Sequence, residues 1–200
     1  MWNTTKSSCN VYLLWSVVTI VVIFILCLSL ILIPSKNVLQ VDVSSVENIA
    51  RQHPVIFLFR HGERCDRSNN VCLSDNAGIT LKSASRAIQY GHLFYQKFGQ
   101  YALYSTNTVR TRQTAIYFAG RAPITVDRLT QCDKSLPDTL LSLSAGAGNQ
   151  PMVIFTHDHC QNWLIKNITG KKVRLHYLDA LVMHVENNRL VTDGLLIPLH

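Results

Sequence analysis

Residues 57–62 read Phe-Leu-Phe-Arg-His-Gly, a run of β-forming residues that ends on an arginine and a histidine. Two other segments repeat the arrangement: Tyr104–Arg110 ends on an arginine, and Val153–His157 ends on a histidine. In an open α/β sheet, ligands bind outside the carboxyl ends of the parallel strands. Two arginines and two histidines at one such edge would form a pocket for a phosphate dianion with a nucleophile inside it. The pattern therefore predicts phosphoryl transfer.

Segments that favour strands alternate with segments that favour helices beyond residue 44. This alternation predicts an α/β fold of three layers, with a mostly parallel central sheet and helices on both faces. The expected strands are 54–59, 101–104, 124–126, 152–155, 181–186 and 189–192, the last two as a hairpin, and the expected helices are 44–51, 79–98, 108–119, 136–143 and 159–168. The first helix is expected to begin at a capping box of Ser44 and Glu47. Residues 145–149, Ala-Gly-Ala-Gly-Asn, are expected to be a flexible tail.

The amino-terminal segment resembles a membrane anchor. The 23 residues from Val11 to Ile33 carry no charge, and as a helix they are long enough to cross about 30 Å of hydrocarbon. A cleavable signal peptide has an apolar core of only about 7–15 residues and a small-residue cleavage site, which is missing here. The sequence predicts one transmembrane helix within an anchor over residues 1–33, a stalk over 34–43 and one domain over 44–200.

The orientation of the anchor depends on a small charge bias. Lys6 and the amino terminus precede the span, and Lys36 soon follows it. We favour a cytoplasmic amino terminus, which exports residues 34–200.

Four cysteines lie beyond the predicted anchor, at positions 65, 72, 132 and 160. An even number permits disulfides in an oxidising compartment. Cys65 and Cys72 bracket a polar loop that a disulfide would close, and Cys132 would then pair with Cys160. Four reduced, separately packed thiols are the alternative. A zinc site is not favoured, because no pair has the close Cys-x-x-Cys spacing of a structural site.

The charge of the domain indicates an anionic partner. Beyond residue 33 the chain carries 18 Lys and Arg against 12 Asp and Glu, a net charge of +6, and such a domain attracts anions. No Lys/Arg cluster is interleaved with aromatic residues, so nucleic acid is not predicted as a partner. An anionic membrane surface and a phosphorylated substrate fit the charge equally well.

His61 is the candidate nucleophile. Gly62 lets the backbone approach a ligand closely, and Arg60 offers a planar fork suited to phosphate oxygens. Histidine forms covalent intermediates in catalysis. Arg64 lies four positions after Arg60 and is a second candidate phosphate ligand.

Arg110 is the next candidate ligand. It falls in the first turn of a predicted helix, where a cation opposes the helix macrodipole. A bound phosphate would compensate, because a helix N-terminus favours anions. Arg112 has the same unfavourable position, and we expect only one of the two to be a ligand. The alternative is an exposed Arg110 with its head in water.

The stretch Thr156-His157-Asp158-His159-Cys160 lies at the start of another predicted helix. Histidine and aspartate bind zinc, but His157 and His159 at spacing two on a helix are not expected to face each other. No metal is therefore predicted. Asp158 could cap the helix or donate a proton to a leaving alcohol.

Together these motifs resemble the histidine phosphatase superfamily, which includes phosphoglycerate mutases and acid phosphatases. The resemblance covers residues from about 54 to 193, and its three motifs occur in order: Arg60-His61-Gly62, the stretch 104–115 around Arg110, and Thr156-His157. It implies a phosphohistidine intermediate on His61, with Arg60, Arg110 and His157 gripping the phosphoryl group. It implies neither a metal nor an organic cofactor.

The wider layout resembles a branch of this superfamily that acts on lipopolysaccharide. The shared features are the amino-terminal hydrophobic segment, residues 59–68, residues 104–111, residues 156–160, and residues 177–186, which begin Tyr-Leu-Asp. The resemblance implies a periplasmic enzyme, anchored in the bacterial inner membrane, whose substrate is a phosphorylated sugar of the lipopolysaccharide core. The alternative is a catalytically silent module that binds phosphate or lipid A at the membrane.

The proton donor is left open among three residues. Mutase-like members use a glutamate after the third strand, but residues 127–140 contain no glutamate. The acid-phosphatase branch uses the aspartate after the second histidine, which matches Asp158. We therefore rank Asp158 ahead of Asp133, with Glu63 third, and mutase activity is not expected.

Overall fold

A computed structural model of the protein describes residues 15–24, 40–170 and 172–197. The chain divides into two units, Met1–Asn37 and Val38–His200. In the first unit, residues 15–24 are helical, and the rest of the anchor predicted over 1–33 lies outside the described residues. Across the described ranges, no helix has the length and apolar character required to cross a membrane.

The second unit alternates strands and helices. Its helices are α1 (Val43–Ala50), α2 (Leu81–Phe98), α3 (Val109–Ala119), α4 (Leu136–Ala147) and α5 (Asp158–Thr169). Its strands are β1 (Val55–Arg60), β2 (Ala102–Ser105), β3 (Ile124–Thr125), β4 (Met152–Thr156), β5 (Ala180–Glu186) and β6 (Arg189–Leu196). Single 3₁₀ turns follow β1 at Cys65–Arg67 and β3 at Asp127–Thr130.

The six strands form one mixed sheet in the order β3-β2-β4-β1-β5-β6. The pairs β2–β3, β2–β4 and β1–β4 are parallel. The pairs β1–β5 and β5–β6 are antiparallel, so β5 is the strand that runs against the others. The expectation of a mostly parallel sheet that ends in a hairpin is confirmed.

Two apolar layers sandwich the sheet. Phe57 and Phe59 of β1 point to a cluster that includes side chains of α1, α2 and α3. Ile56 and Leu58 point to the opposite cluster, which includes side chains of α4 and α5. Successive side chains of a strand alternate between faces, and unbroken apolar runs are typical of parallel strands buried on both faces. The result is the predicted three-layer arrangement.

The cap of α1 differs from the expectation. Asp42, not Ser44, is its N-cap, and an Asp42 carboxylate oxygen accepts a hydrogen bond from the Ser45 backbone N–H at 2.7 Å. The Ser44 hydroxyl also donates to that oxygen, at 2.7 Å. The helix macrodipole stabilises a negatively charged carboxylate near the N-terminus. The neutral hydroxyl of Ser44 would gain less from this interaction than the carboxylate of Asp42.

The flexible tail predicted at 145–149 is wrong in its first half, because α4 continues through Ala147. Alanine has the highest helix propensity, and one interior glycine costs only about 1 kcal/mol relative to it. The C-cap of the helix is Gly148, whose φ is 65°.

A glycine brings α2 and α3 into close contact. A Cβ added at Gly91 would lie 1.7 Å from the carbonyl oxygen of Phe118. Only a residue without a side chain therefore permits this crossing. The crossing fixes α3, whose first turn carries Arg110.

Parallel pairing brings three strand ends to one edge of the sheet. Arg60 pairs with Thr156, and Ser105 pairs with Phe155. The ladder continues past the strands, because the His61 N–H donates to the Thr156 carbonyl at 3.0 Å and the Thr106 N–H donates to the Phe155 carbonyl at 3.1 Å.

Candidate active site

His61 follows β1 directly and is almost fully buried, with 3% of its surface exposed. Its Nδ1 lies 2.7 Å from the carbonyl oxygen of Gly62. A carbonyl oxygen only accepts hydrogen bonds, so Nδ1 must be the donor. In the neutral imidazole, Nε2 is then the nitrogen with a free lone pair. A nucleophile requires this tautomer.

The surroundings of His61 keep its ring neutral. Burial, aided by the nearby charges of His157, Arg110 and Arg60, lowers the pKa of His61 from 6.5 to about 3, against the opposing effect of the hydrogen bond to Gly62. Burial disfavours the charged form of a histidine. The ring is therefore unprotonated throughout the neutral range.

His157 follows β4 and lies beside His61. Their ring centroids are 5.3 Å apart and their planes are inclined by 71°. Burial, followed by the charge of Arg110, lowers the pKa of His157 to about 4. Its Nε2 lies 3.4 Å from the hydroxyl of Thr106, a neighbour that the sequence analysis missed. Thr106 lies within the motif over residues 104–115 but was given no role, although it occupies the first position after β2.

Arg110 and Arg112 have different environments on α3. Arg110 is partly buried, and its Nε is fully buried without a hydrogen-bond acceptor among the described residues. Burial, followed by the charge of Arg64, lowers the pKa of Arg110. Arg112 is exposed. A buried donor without a partner is unfavourable, and a phosphate oxygen would satisfy it. The structure therefore favours Arg110 as the anion ligand of the two.

Thr114 joins the loop of His61 to the first turn of α3. Its hydroxyl accepts from the Gly62 N–H at 2.9 Å and donates to the Arg110 carbonyl at 2.6 Å. The side chain is fully buried. No role was predicted for Thr114, although residues four apart on a helix lie on one face and Thr114 is four residues beyond Arg110.

Arg60 is held on three sides. One terminal nitrogen donates to the Leu175 carbonyl at 2.6 Å, the other lies 3.3 Å from an Asp158 carboxylate oxygen, and the guanidinium lies 4.2 Å from the ring centroid of Tyr177. The Nε of Arg60 is buried and has no acceptor among the described residues. The position of the side chain is thus set before any ligand binds.

Tyr177 was quoted above in the wider resemblance but was given no role. Its ring lies over Arg60 and is 5.9 Å from the ring of His61. Arginine stacks favourably on aromatic faces. Tyr177 therefore belongs to the wall of the site.

Arg64 lies near the site but is already paired. Its Nε donates to an Asp66 carboxylate oxygen at 2.8 Å, and a terminal nitrogen binds the second oxygen. The hydrogen bonds with Asp66 raise the pKa of Arg64, against a smaller opposing effect of burial. Arg64 also influences the pKa of Arg110, so the two guanidinium groups lie within electrostatic reach of each other.

The three candidate proton donors are placed differently. Asp158 is the first residue of α5, follows His157 directly and has a side chain that is 46% exposed beside Arg60. Glu63 accepts hydrogen bonds from the Asn70 amide and the Thr80 hydroxyl, both at 2.9 Å. Burial alone would raise the pKa of Glu63, but these bonds outweigh it, and the pKa is lowered.

Asp133 is exposed, and its carboxylate accepts from the backbone N–H and the hydroxyl of Ser135. These hydrogen bonds lower the pKa of Asp133. Among the contacts that the described residues make, none joins Asp133 to the two histidines. Of the three acids, Asp158 is the one in contact with a predicted phosphate ligand.

The expectation that His157 and His159 do not face each other is wrong. Their rings stack at 5.3 Å with an interplanar angle of 17°, because His157 is the N-cap of α5 and has extended backbone angles. Within the described ranges, one group of potential metal ligands converges: Cys132, His159 and Cys160. Both of its sulfurs belong to a disulfide, whereas a cysteine metal ligand is a thiolate. These residues therefore do not fit a metal ion.

Two disulfides flank the site. Cys65 is joined to Cys72, which closes the loop after His61, and Cys132 is joined to Cys160 in the first turn of α5. This is the pairing expected from the polar loop. Disulfides persist in oxidising compartments.

Known phosphatases are similar to this chain in sequence. No protein-family model matches the chain. The lipopolysaccharide core heptose(II)-phosphate phosphatase of Salmonella paratyphi B is 44% identical over 160 residues, which cover 80% of each chain. The protein of the same description from Escherichia coli O139:H28 is 43% identical over 161 residues, with the same coverage. The chain belongs to the lipopolysaccharide core heptose(II)-phosphate phosphatase family. It is a phosphomonoester hydrolase.

Solved structures share the fold of this heptose(II)-phosphate phosphatase family member. The protein histidine phosphatase SixA, complexed with tungstate, has a TM-score of 0.56 and 12% identity, covering 71% of this chain and 96% of SixA. A phosphoserine phosphatase mutant from Entamoeba histolytica has a TM-score of 0.53 and 13% identity, with the same coverage. The fold is that of the histidine phosphatase superfamily.

Proposed function

We propose that the chain hydrolyses the phosphomonoester on heptose(II) of the lipopolysaccharide core through a phosphohistidine at His61. The names of its relatives support the substrate. The observation that carries the mechanism is the hydrogen bond from His61 Nδ1 to the Gly62 carbonyl. It leaves the lone pair on Nε2 of a buried, neutral ring, as nucleophilic attack requires.

In the first step, Nε2 of His61 attacks the phosphorus and the bond from phosphorus to the sugar oxygen breaks. Asp158 donates its proton to that oxygen, which leaves as an alcohol. Arg60, Arg110 and His157 bind the remaining phosphoryl oxygens, where charge-assisted hydrogen bonds stabilise the transition state. Arg64 provides further positive charge at the rim.

In the second step, water attacks the phosphorus of phosphohistidine and the P–N bond breaks. The Asp158 carboxylate accepts a proton from the water, so the acid of the first step is restored. Phosphate leaves, and His61 returns to its neutral state. The proposed cycle needs no metal or organic cofactor.

The role of His61 is tested with the full-length protein. His61→Ala should reduce hydrolysis of p-nitrophenyl phosphate and of phosphorylated heptose to background. Acid-labile, base-stable phosphate should be trapped on the wild type but not on the variant. His92→Ala is the matched control, because His92 is an exposed histidine on α2. Near-wild-type turnover by His61→Ala would exclude the mechanism, and a wild type without any turnover would favour a silent binding module.

We also propose that residues 1–33 anchor the enzyme in the inner membrane, with a stalk over 34–43 and the catalytic domain, 44–200, in the periplasm. The uncharged run from Val11 to Ile33 supports the anchor, and a lipopolysaccharide substrate supports an envelope location. Full-length protein should fractionate with the inner membrane, and a chain that starts at residue 38 should not. Protection from protease in spheroplasts, with digestion in inverted vesicles, would reverse the proposed topology.

A further inference from the structure

A polar cleft of about 460 Å³ lies next to the proposed phosphoryl site. Arg60 and Asp158 of that site line it, together with Asn162, Arg174, His176 and Tyr177. If Asp158 protonates the leaving oxygen, the leaving alcohol must contact Asp158. The cleft that Asp158 lines is therefore the place for the rest of the leaving alcohol.

The outer wall of the cleft is fixed by hydrogen bonds. The Val173 N–H donates to the side-chain oxygen of Asn162 at 3.0 Å. The Leu175 carbonyl accepts from Arg60 at 2.6 Å, and the His176 N–H donates to an Asp179 carboxylate oxygen at 2.6 Å. Leu175 is also buried in the core. The wall is thus preformed, which lowers the entropic cost of binding a ligand.

The charge of the cleft is not balanced. Asp158 is the one acid among its described lining residues, and it pairs with Arg60. Arg174 is exposed and makes no hydrogen bond or ion pair with a described residue. A guanidinium group forms strong, directional hydrogen bonds with phosphate and carboxylate oxygens. The cleft therefore offers an anion a second binding position beyond the phosphoryl site.

We propose that this cleft binds the leaving sugar and that Arg174 selects sugars carrying a second anionic group, either a phosphate or a carboxylate. The inference deepens the proposed function, since it assumes that the sugar leaves past Asp158. His176 lines the same wall with an exposed side chain that offers an imidazole group to the sugar hydroxyls. Arg174 is a specificity residue and takes no part in the chemical step.

Binding to the inactive full-length variant His61→Ala tests the proposal without turnover. The ligands are glucose 1-phosphate, glucose 1,6-bisphosphate and glucuronic acid 1-phosphate, which share one scaffold and differ in the second anion. Calorimetry should show about tenfold tighter binding of at least one doubly anionic ligand, as expected for one charge-assisted contact. Tighter binding of glucose 1,6-bisphosphate alone identifies a phosphate subsite. Tighter binding of both glucose 1,6-bisphosphate and glucuronic acid 1-phosphate identifies a general anion subsite.

The preference for a doubly anionic ligand should disappear in the double variant His61→Ala/Arg174→Ala. It should persist in the control double variant His61→Ala/Arg189→Ala, because Arg189 is an exposed arginine of the β5–β6 hairpin. Equal affinities for the three ligands, or a preference that survives Arg174→Ala, would overturn the inference. Turnover of p-nitrophenyl phosphate by the wild type is measured separately. A wild type without turnover would contradict the proposed function, whatever the binding data show.

Discussion

Replacing Thr114 by valine tests the link between the loop of His61 and α3. The Thr114 hydroxyl is fully buried and bridges the Gly62 N–H at 2.9 Å and the Arg110 carbonyl at 2.6 Å. Valine has nearly the same shape but leaves the Gly62 N–H without an acceptor. A buried donor left unsatisfied costs about 1–3 kcal/mol. In a domain of this size each kcal/mol lowers Tm by about 2–4 °C, so we expect a fall of roughly 2–12 °C.

Activity should fall together with stability. The same bridge sets the loop of the proposed nucleophile His61 relative to Arg110, the proposed phosphate ligand, and a displacement of about 1 Å can lower the rate by about 10²-fold. Thermal unfolding by circular dichroism under non-reducing conditions and kcat with p-nitrophenyl phosphate measure the two effects. Thr114→Ser is the matched control, since it keeps the hydroxyl and loses one methyl group, worth about 0.8 kcal/mol. If Thr114→Val matches Thr114→Ser in both Tm and kcat, the bridge has no role.

Four further predictions follow from the site and the helix crossing. Asp158→Asn should lower turnover of a heptose phosphate by about 10²–10⁴-fold. Turnover of p-nitrophenyl phosphate should fall far less, because its leaving group needs no proton. Equal losses on both substrates, or a selective loss in Asp133→Asn instead, would exclude Asp158 as the acid. Arg110→Ala should lower kcat/KM by about 10²–10³-fold. Arg112→Ala, at an exposed position two residues on, should keep a kcat/KM near that of the wild type. Similar losses of kcat/KM in the two variants would contradict the choice of Arg110 over Arg112 as the phosphate ligand. Burial lowers the pKa of His61 from 6.5 to about 3 and that of His157 to about 4. The unfolded chain therefore takes up protons below pH 6.5 that the folded chain excludes, so the free energy of unfolding should decline as the pH falls from about 6.5 to 5. Urea titrations at several pH values in this window measure the decline. If the free energy of unfolding of His61→Asn depends on pH as steeply as that of the wild type, the lowered pKa is contradicted. Gly91→Ala should destabilise by about 1–3 kcal/mol through overpacking against Phe118, while Gly146→Ala in α4, where a Cβ meets open space, should stabilise by about 0.5–1 kcal/mol; chemical denaturation of both variants provides the comparison.

The central strands were predictable because their signal is local. Val55–Arg60 and Met152–Thr156 are unbroken apolar runs that end on polar residues, and burial on both faces of a sheet demands that pattern. The cap of α1 and the end of α4 were missed because two neighbouring residues compete for each role. Asp42 and Ser44 are both good caps, and the alanines at 145 and 147 compete with Gly146.

The proposed phosphate ligands were also visible locally, because each follows a strand or opens a helix. The residues that support them were not. Gly62 and its partner Thr114 are 52 positions apart, and Arg60 and Leu175 are 115 positions apart. Contacts of this kind depend on how the sheet and helices assemble. A single sequence gives no sign of which threonine or which carbonyl group will arrive there.

The three-sided hold on Arg60 also bears on how the enzyme responds to its surroundings. Donors that are fixed in advance favour the three terminal oxygens of a phosphate ester, and free orthophosphate presents the same oxygens. The proposed enzyme therefore binds its own product in the cradle that receives its substrate. Orthophosphate should therefore compete with the substrate, and the rate at which sugars are dephosphorylated should fall as the phosphate concentration of the compartment rises.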